Sequence, residues 1–362
     1  MFKLIKVSIV ILLASAAVRA QTPECNLTAD WEYNSLGNQT GTYRVWLANN
    51  NTPNCAANPL SQVSKPIIIA GGWDPTNDES ELGIYSWLNR DAGLDLMEQL
   101  HDEGFDIIIM DYDEGAAHIQ QNAYLLATLI DDVNVNKSGN EECVVMGLSM
   151  GGLVVRYALA TMESQAWMND HNSHSHDTRL AVYYDSPQKG AFVPYALHDI
   201  TEALLEAAAD AEVVTNAITT VNDLTVQNQA IQDLAQEIED IEDERMAPTT
   251  SASQQMLIGH YLPAAQDLKD DFYDELGGMG DYPSNCRNIA VSNGSIGGVD
   301  QGFELNDQLF EMHADRTLVE IKLDIYATQG LLLPLYNPLY DTYARFIGKI
   351  RLKPLLWDMI YE

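Results

Sequence analysis

Basic residues are scarce in this chain. Nineteen Lys and Arg stand against 53 Asp and Glu, a formal net charge of −34 over 362 residues. Such an imbalance argues against nucleic acid and anionic membrane as partners. It suits a soluble protein in a salty medium, where self-repulsion is screened, and equally an ordinary acidic secreted protein. Long apolar runs are lacking too: the longest, Val7 to Ala17, is too short to span a bilayer. Cysteine occurs only four times and histidine eight. There is no phosphate-binding loop, dinucleotide fingerprint or internal repeat, so nothing calls for a cofactor.

The first residues read as an export signal. Lys3 and Lys6 precede the apolar stretch, and Val18-Arg19-Ala20 offers a small-residue cleavage site. The mature chain is then expected to begin at Gln21, secreted or periplasmic. Four cysteines in an exported chain permit three pairings. Cys25 and Cys55 share a loop-rich segment and are the preferred pair; Cys143 is expected as a buried free thiol, and Cys286 has no clear partner.

Residues 21–64 hold short strand-like pieces such as Thr42 to Leu47 among Asn, Gly and Pro turns. Then Pro66 to Ala70, Phe105 to Met110 (apolar but for Asp106), Cys143 to Leu148 and Leu180 to Tyr184 are apolar runs. Such runs mark strands buried on both faces, as in a parallel sheet. One helix is predicted through Tyr85, Leu88, Leu94, Met97 and Leu100, and another through Ile119 to Ile130. This alternation predicts an α/β, doubly wound, mostly parallel sheet. Ligands of such sheets bind beyond the carboxyl ends of the strands, where Trp73, Asp111, Ser149 and Asp185 fall. Apolar positions at helical spacing over 197–247 suggest a helical lid, and Arg287 to Gly294 resumes the sheet as a buried fifth strand. Strand-like patterns at 317–328 and 344–352 imply a short β-rich C-terminal segment.

The organising stretch is Met146-Gly147-Leu148-Ser149-Met150-Gly151-Gly152, a G-x-S-x-G pattern between a buried strand and a helix. There the turn lifts one hydroxyl above the sheet edge, and the new helix presents free N–H groups to a developing oxyanion. Ser149 is read as a nucleophile. The three imidazoles of His171, His174 and His176 match no zinc spacing, and the acidic turns at 74–79 and 111–115 lack a calcium-loop pattern, so no metal site is expected.

With these residues in hand, the chain resembles the α/β-hydrolase superfamily of lipases and esterases, more narrowly secreted bacterial PGAP1-like serine hydrolases. Gly71 to Pro75, Gly147 to Gly152 with Arg156 to Leu159, and Asp185 to Ala191 carry the resemblance. Gln188 stands where such lipases often place a histidine. The resemblance implies ester cleavage without a cofactor, acting on a small-molecule or lipid ester. It also implies an oxyanion hole from the Met150 and Trp73 amides, and the chain order Ser, acid, His. Asp300 is the first choice for the acid, and His313 is the only histidine that follows it. Otherwise His313 is a surface residue at a helix end, with His198 and His260 as weaker candidates. The acid and His can also belong to a C-terminal part absent from this chain.

The expected layout is a signal peptide (1–20), N-terminal strands and loops (21–64), a core with the elbow (65–196), and a helical lid or cap (197–275). A core continuation (276–316) and the β-rich end (317–362) complete it. Two other readings stay open: amide or thioester cleavage on the same fold, and a non-catalytic binding module with a degenerate triad.

Overall fold

The computed structural model describes residues 24–54, 58–89, 95–171, 175–191, 249–258, 263–292, 308–315, 319–329, 342–352 and 357–361. The expected export signal, the helices expected over 197–247, and Cys55, His198, His260 and Asp300 lie outside the described residues.

Three strands come first: β1 (Cys25–Glu32), β2 (Asn38–Leu47) and β3 (Asn50–Asn54). β4 (Pro66–Ala70) leads to helices α1 (Glu81–Leu88) and α2 (Leu96–Asp102), then β5 (Asp106–Tyr112) and α3 (Ile119–Asn136). β6 (Cys143–Leu148) runs into α4 (Gly151–Met162), followed by α5 (Gln165–Asp170) and β7 (Thr178–Tyr184). Helices α6 (Ser251–Met256) and α7 (Pro263–Gly278) precede β8 (Arg287–Val291).

The main sheet has the order β1-β2-β5-β4-β6-β7-β8, with β3 on β2. From β5 to β8 every pairing is parallel. The strand pleat divides the apolar runs between two faces. Ile68, Ile108 and Val145 turn toward α3 and α4, where Leu126, Ile130, Val154 and Ala158 meet them. Ile67, Ile69, Ile107, Ile109 and Val144 turn the other way, against Ile84 of α1 and Met97 of α2. Full burial of each such side chain contributes roughly 1.5–3 kcal/mol relative to exposure. Both faces are covered, which is why these strands read as unbroken apolar runs.

Several details depart from the sequence reading. The single helix expected from Tyr85 to Leu100 is two helices: Asn89 ends α1, and its Oδ1 accepts the Met97 N–H at the start of α2 (2.9 Å). The N-terminal strands form the antiparallel edge of the main sheet, with Thr42 to Trp46 registered on Asp111 to Ile107. Asp111 therefore lies within β5 rather than after it. β8, expected to be buried, is mostly exposed: Ile289 alone is half-covered, since β8 pairs only with β7 among the described residues. Helix α6 falls in the 197–275 segment and α7 runs across its end, and Ala252, Phe272 and Leu276 join the core cluster.

A separate antiparallel sheet, ordered β12-β11-β10-β9, is built from β9 (Gln308–Asp315), β10 (Val319–Gln329), β11 (Thr342–Leu352) and β12 (Trp357–Tyr361). It accounts for the expected β-rich end. His313 is therefore in a strand, opposite Lys322, and not at a helix end.

Glu163, just past α4, gathers the chain before β8. Its carboxylate accepts the Ser284 N–H (2.9 Å), the Ser284 hydroxyl (2.7 Å) and the Asn285 N–H (2.8 Å). Buried His176 lies against it too, Nε2 to Oε1 at 3.0 Å. The Thr178 N–H donates to His176 Nδ1 (3.1 Å), so Nε2 carries the proton given to Glu163. Cys25 is disulfide-bonded, while Cys143 and Cys286 are free. Burial pushes the Cys143 thiol up to about 12 and that of Cys286 up to about 11. Among the described residues no helix is long and apolar enough to cross a membrane.

Candidate active site

β4 connects through α1 and α2 to β5 on one side, while β6 lies on its other side. Chains leaving the carboxyl ends of β4 and β6 thus part in opposite directions and open a crevice between them. The β6 exit is the turn at Ser149, which has φ +51°. A non-glycine residue in this left-handed region is strained, and such strain concentrates at functional sites. The turn is held because the Ser149 N–H donates to the Tyr184 carbonyl (2.9 Å) and its carbonyl accepts the Gly152 N–H (3.1 Å). Two glycines make the turn sterically feasible. A Cβ at Gly147 would collide with the Gly151 carbonyl, and one at Gly151 with the carbonyls of Ala70 and Gly71. The elbow and the β4 exit therefore touch backbone to backbone, leaving Ser149 exposed and Met150 buried.

The β4 exit is Gly71-Gly72-Trp73. A Cβ on Gly72 would stand 3.5 Å from Ser149 Cβ, so this loop runs about one methyl's width from the Ser149 turn. Among the described residues, neither the Met150 nor the Trp73 backbone N–H has an acceptor. Beyond Trp73 the loop folds on itself: Asp74 accepts the N–H groups of Asp78 (3.2 Å) and Glu79 (2.7 Å). Gly115 packs flush on Asp74, where a Cβ would fall 2.8 Å from its carbonyl oxygen. The Trp73 ring, packed on the core, donates through Nε1 to Thr250 Oγ1 (3.4 Å), the N-cap of α6.

Acids crowd behind this loop. Burial and nearby Asp74 raise the Glu79 carboxyl above its usual range, against the opposing effect of the Gly72 amide. Asp111 is pushed up to about 8 by burial and by Glu81, with smaller contributions from Asp74 and Glu79, against the lowering effect of the Tyr112 N–H. Buried Glu81 is satisfied by Arg44 Nε (3.1 Å) and the Thr42 hydroxyl (2.6 Å). Among the described residues no group of His, Cys, Asp and Glu is arranged to hold a metal ion.

The turn after β7 forms the third wall. Asp185 has φ +47° and donates its N–H to the Val291 carbonyl (2.7 Å). Gln188 is a tie: its Nε2 donates to Ser186 Oγ (2.8 Å), and its carbonyl accepts from Arg156 Nη1 (2.9 Å). Arg156 also reaches Asp281 (Nη2 to Oδ1, 3.1 Å) and lies over the Tyr282 ring.

Of the five residues singled out in the sequence, the structure brings Ser149, Met150 and Trp73 to one crevice. Asp300 and the His313 side chain lie outside the described residues. The four histidines whose side chains are described are placed elsewhere. His101 lies in α2, His118 packs against Tyr33 before α3, His171 stacks on Trp167, and His176 serves Glu163. Sequence reasoning missed Thr250, and no local signal marks it, since it meets Trp73 across 177 residues of chain.

A five-strand parallel core, a crevice at the strand-order reversal and a serine on a left-handed strand–helix turn give an α/β fold of the kind that α/β-hydrolases share. The family model described as lecithin:cholesterol acyltransferase matches residues 95–175, the segment from α2 through the elbow to α5. No curated protein matches the chain. Similar solved structures include esterase B from Lactobacillus rhamnosis, at 10% identity and TM-score 0.29, covering 80% of this chain and 83% of that one. The peroxisomal α/β-hydrolase Lpx1 from Saccharomyces cerevisiae has 12% identity and TM-score 0.33, covering 75% and 82%. A lipase/esterase from Lactobacillus plantarum has 10% identity and TM-score 0.30, covering 76% and 91%.

Proposed function

We propose that the chain is a secreted serine hydrolase that cleaves carboxylic esters through an acyl-enzyme. Ser149 Oγ attacks the ester carbonyl carbon, and the Met150 and Trp73 N–H groups receive the negative charge on the carbonyl oxygen. The carbon–oxygen bond to the alcohol then breaks, and the serine proton leaves with that alcohol through a histidine base. Water attacks the acyl group in turn, releases the carboxylic acid and restores Ser149. Asp300 and His313 are assigned the acid and base on chain order alone.

The observation that carries this reading is Ser149 at φ +51° with the Gly72 backbone about one methyl's width from its Cβ. It puts the nucleophile and two unengaged amides on adjoining loops, and losing one such donor typically costs about 2.7–4 kcal/mol of barrier. The match to an acyltransferase model adds an alcohol to water as a candidate acyl acceptor.

Hydrolysis of short- and long-chain p-nitrophenyl esters, with and without added alcohol, tests the proposal. The mature chain is expected to turn them over and to be labelled at Ser149 by a fluorophosphonate, and Ser149→Ala to abolish both. A folded wild type that is inert to every acyl length and to the label overturns it, and leaves the binding-module reading. Amidase or thioesterase activity lost in Ser149→Ala would keep the nucleophile and change the substrate.

A further inference from the structure

We infer that Thr250 is a positioning residue for the oxyanion hole, acting through the indole of Trp73; the inference rests on the esterase reading above. Trp73 is fixed at three points. Before it, Gly72 runs about one methyl's width from Ser149 Cβ; after it, Asp74 is pressed against Gly115; its own ring donates to Thr250 Oγ1 at 3.4 Å. The first two contacts hold the neighbouring residues but leave free the rotation of the Gly72–Trp73 peptide plane that carries the Trp73 N–H. A ring held at its far end sets that rotation, and with it the direction of the Trp73 N–H.

Thr250 is itself held. Its side chain caps α6 by accepting the Ser253 N–H (3.4 Å) and also donates to Ser253 Oγ (3.0 Å). Helix α6 is anchored to the turn before α3, where the Ala116 carbonyl accepts the Ala252 N–H (3.2 Å). Buried Gln255 accepts the Ile119 N–H (2.9 Å) and donates to Gln120 Oε1 (2.7 Å). That turn also carries Gly115, the residue pressed on Asp74. One rigid unit, α6 with the start of α3, therefore grips the oxyanion loop at Asp74 and at the Trp73 ring.

The test is a double-mutant cycle on ester hydrolysis by the full mature chain. Trp73→Phe keeps the ring and removes its N–H; Thr250→Val keeps the shape and removes the hydroxyl; Thr250→Ser keeps both the cap and the acceptor. The expected result is a fall of about tenfold in kcat, with KM nearly unchanged, for Trp73→Phe and Thr250→Val alike, because a small misplacement of an oxyanion donor acts on the transition state. The double variant should lose no more than either single one, and Thr250→Ser should match wild type. Unchanged kcat in Trp73→Phe, or losses that multiply in the double variant, overturns the inference while leaving esterase activity standing. Wild type without Ser149-dependent turnover overturns the function reading and this inference together.

Discussion

The carboxyl of Asp111 lies near the end of β5 with Glu81, Asp74 and Glu79 around it. Burial and these like charges push its pKa up to about 8, so it keeps its proton at neutral pH. An unfolded Asp releases its proton near about 3.9. Across that window the unfolded chain binds fewer protons than the folded one, and stability must fall as pH rises from about 4 to about 8. Asp111→Asn holds the neutral form at every pH. Its melting temperature should exceed that of wild type at pH 8 and approach it toward pH 4. Parallel curves for the two proteins would refute this account. At the same scale, the sequence revealed Ser149 and its glycines because the elbow imposes steric demands on consecutive residues. Thr250 left no trace, because its tie to Trp73 is made in space and any small hydroxyl residue capping a helix looks alike.

Among the elements, the link between α4 and β8 depends on one carboxylate. Burial drives the Glu163 pKa upward, but the N–H groups of Asn285 and Ser284, His176 and the Ser284 hydroxyl outweigh it and hold the group below its usual range. The sign is opposite to that of Asp111. A lowered folded pKa gives stability that is present above the unfolded value, about 4.3, and lost as pH falls through the folded one. Glu163→Gln should therefore lower the urea midpoint at pH 7, by about 1–2 kcal/mol in stability, with the gap closing near pH 3. A gap that persists unchanged into acid would show that shape, not charge, ties the 284–285 turn. The parallel strands could be read from sequence because both their faces are apolar. The division between α1 and α2 could not, since Asn89 breaks one helix and supports the next without disturbing the apolar spacing. Nor could the place of β2 between β1 and β5, since its first half is Asn, Gln, Thr and Gly.

Seen whole, the molecule joins an acidic surface to a sheet covered on both sides, and that cover extends to its sulfur. Cys143 and Cys286 stay protonated in the folded chain because burial raises both thiols well above neutral pH. While the fold persists, neither Cys143 nor Cys286 is then a thiolate that could attack the disulfide at Cys25. Unfolding returns both thiols to about 8.5, and at mildly alkaline pH they exchange with that disulfide. Heating at pH 8 should then give a recovered native fraction that declines with time spent unfolded. At pH 5, or with both thiols replaced by Ala, recovery should be insensitive to that time; equal decay in all three cases would exclude exchange as the cause. Durability in this protein is accordingly a rate rather than a temperature, set by how often the sheet opens and how long it stays open.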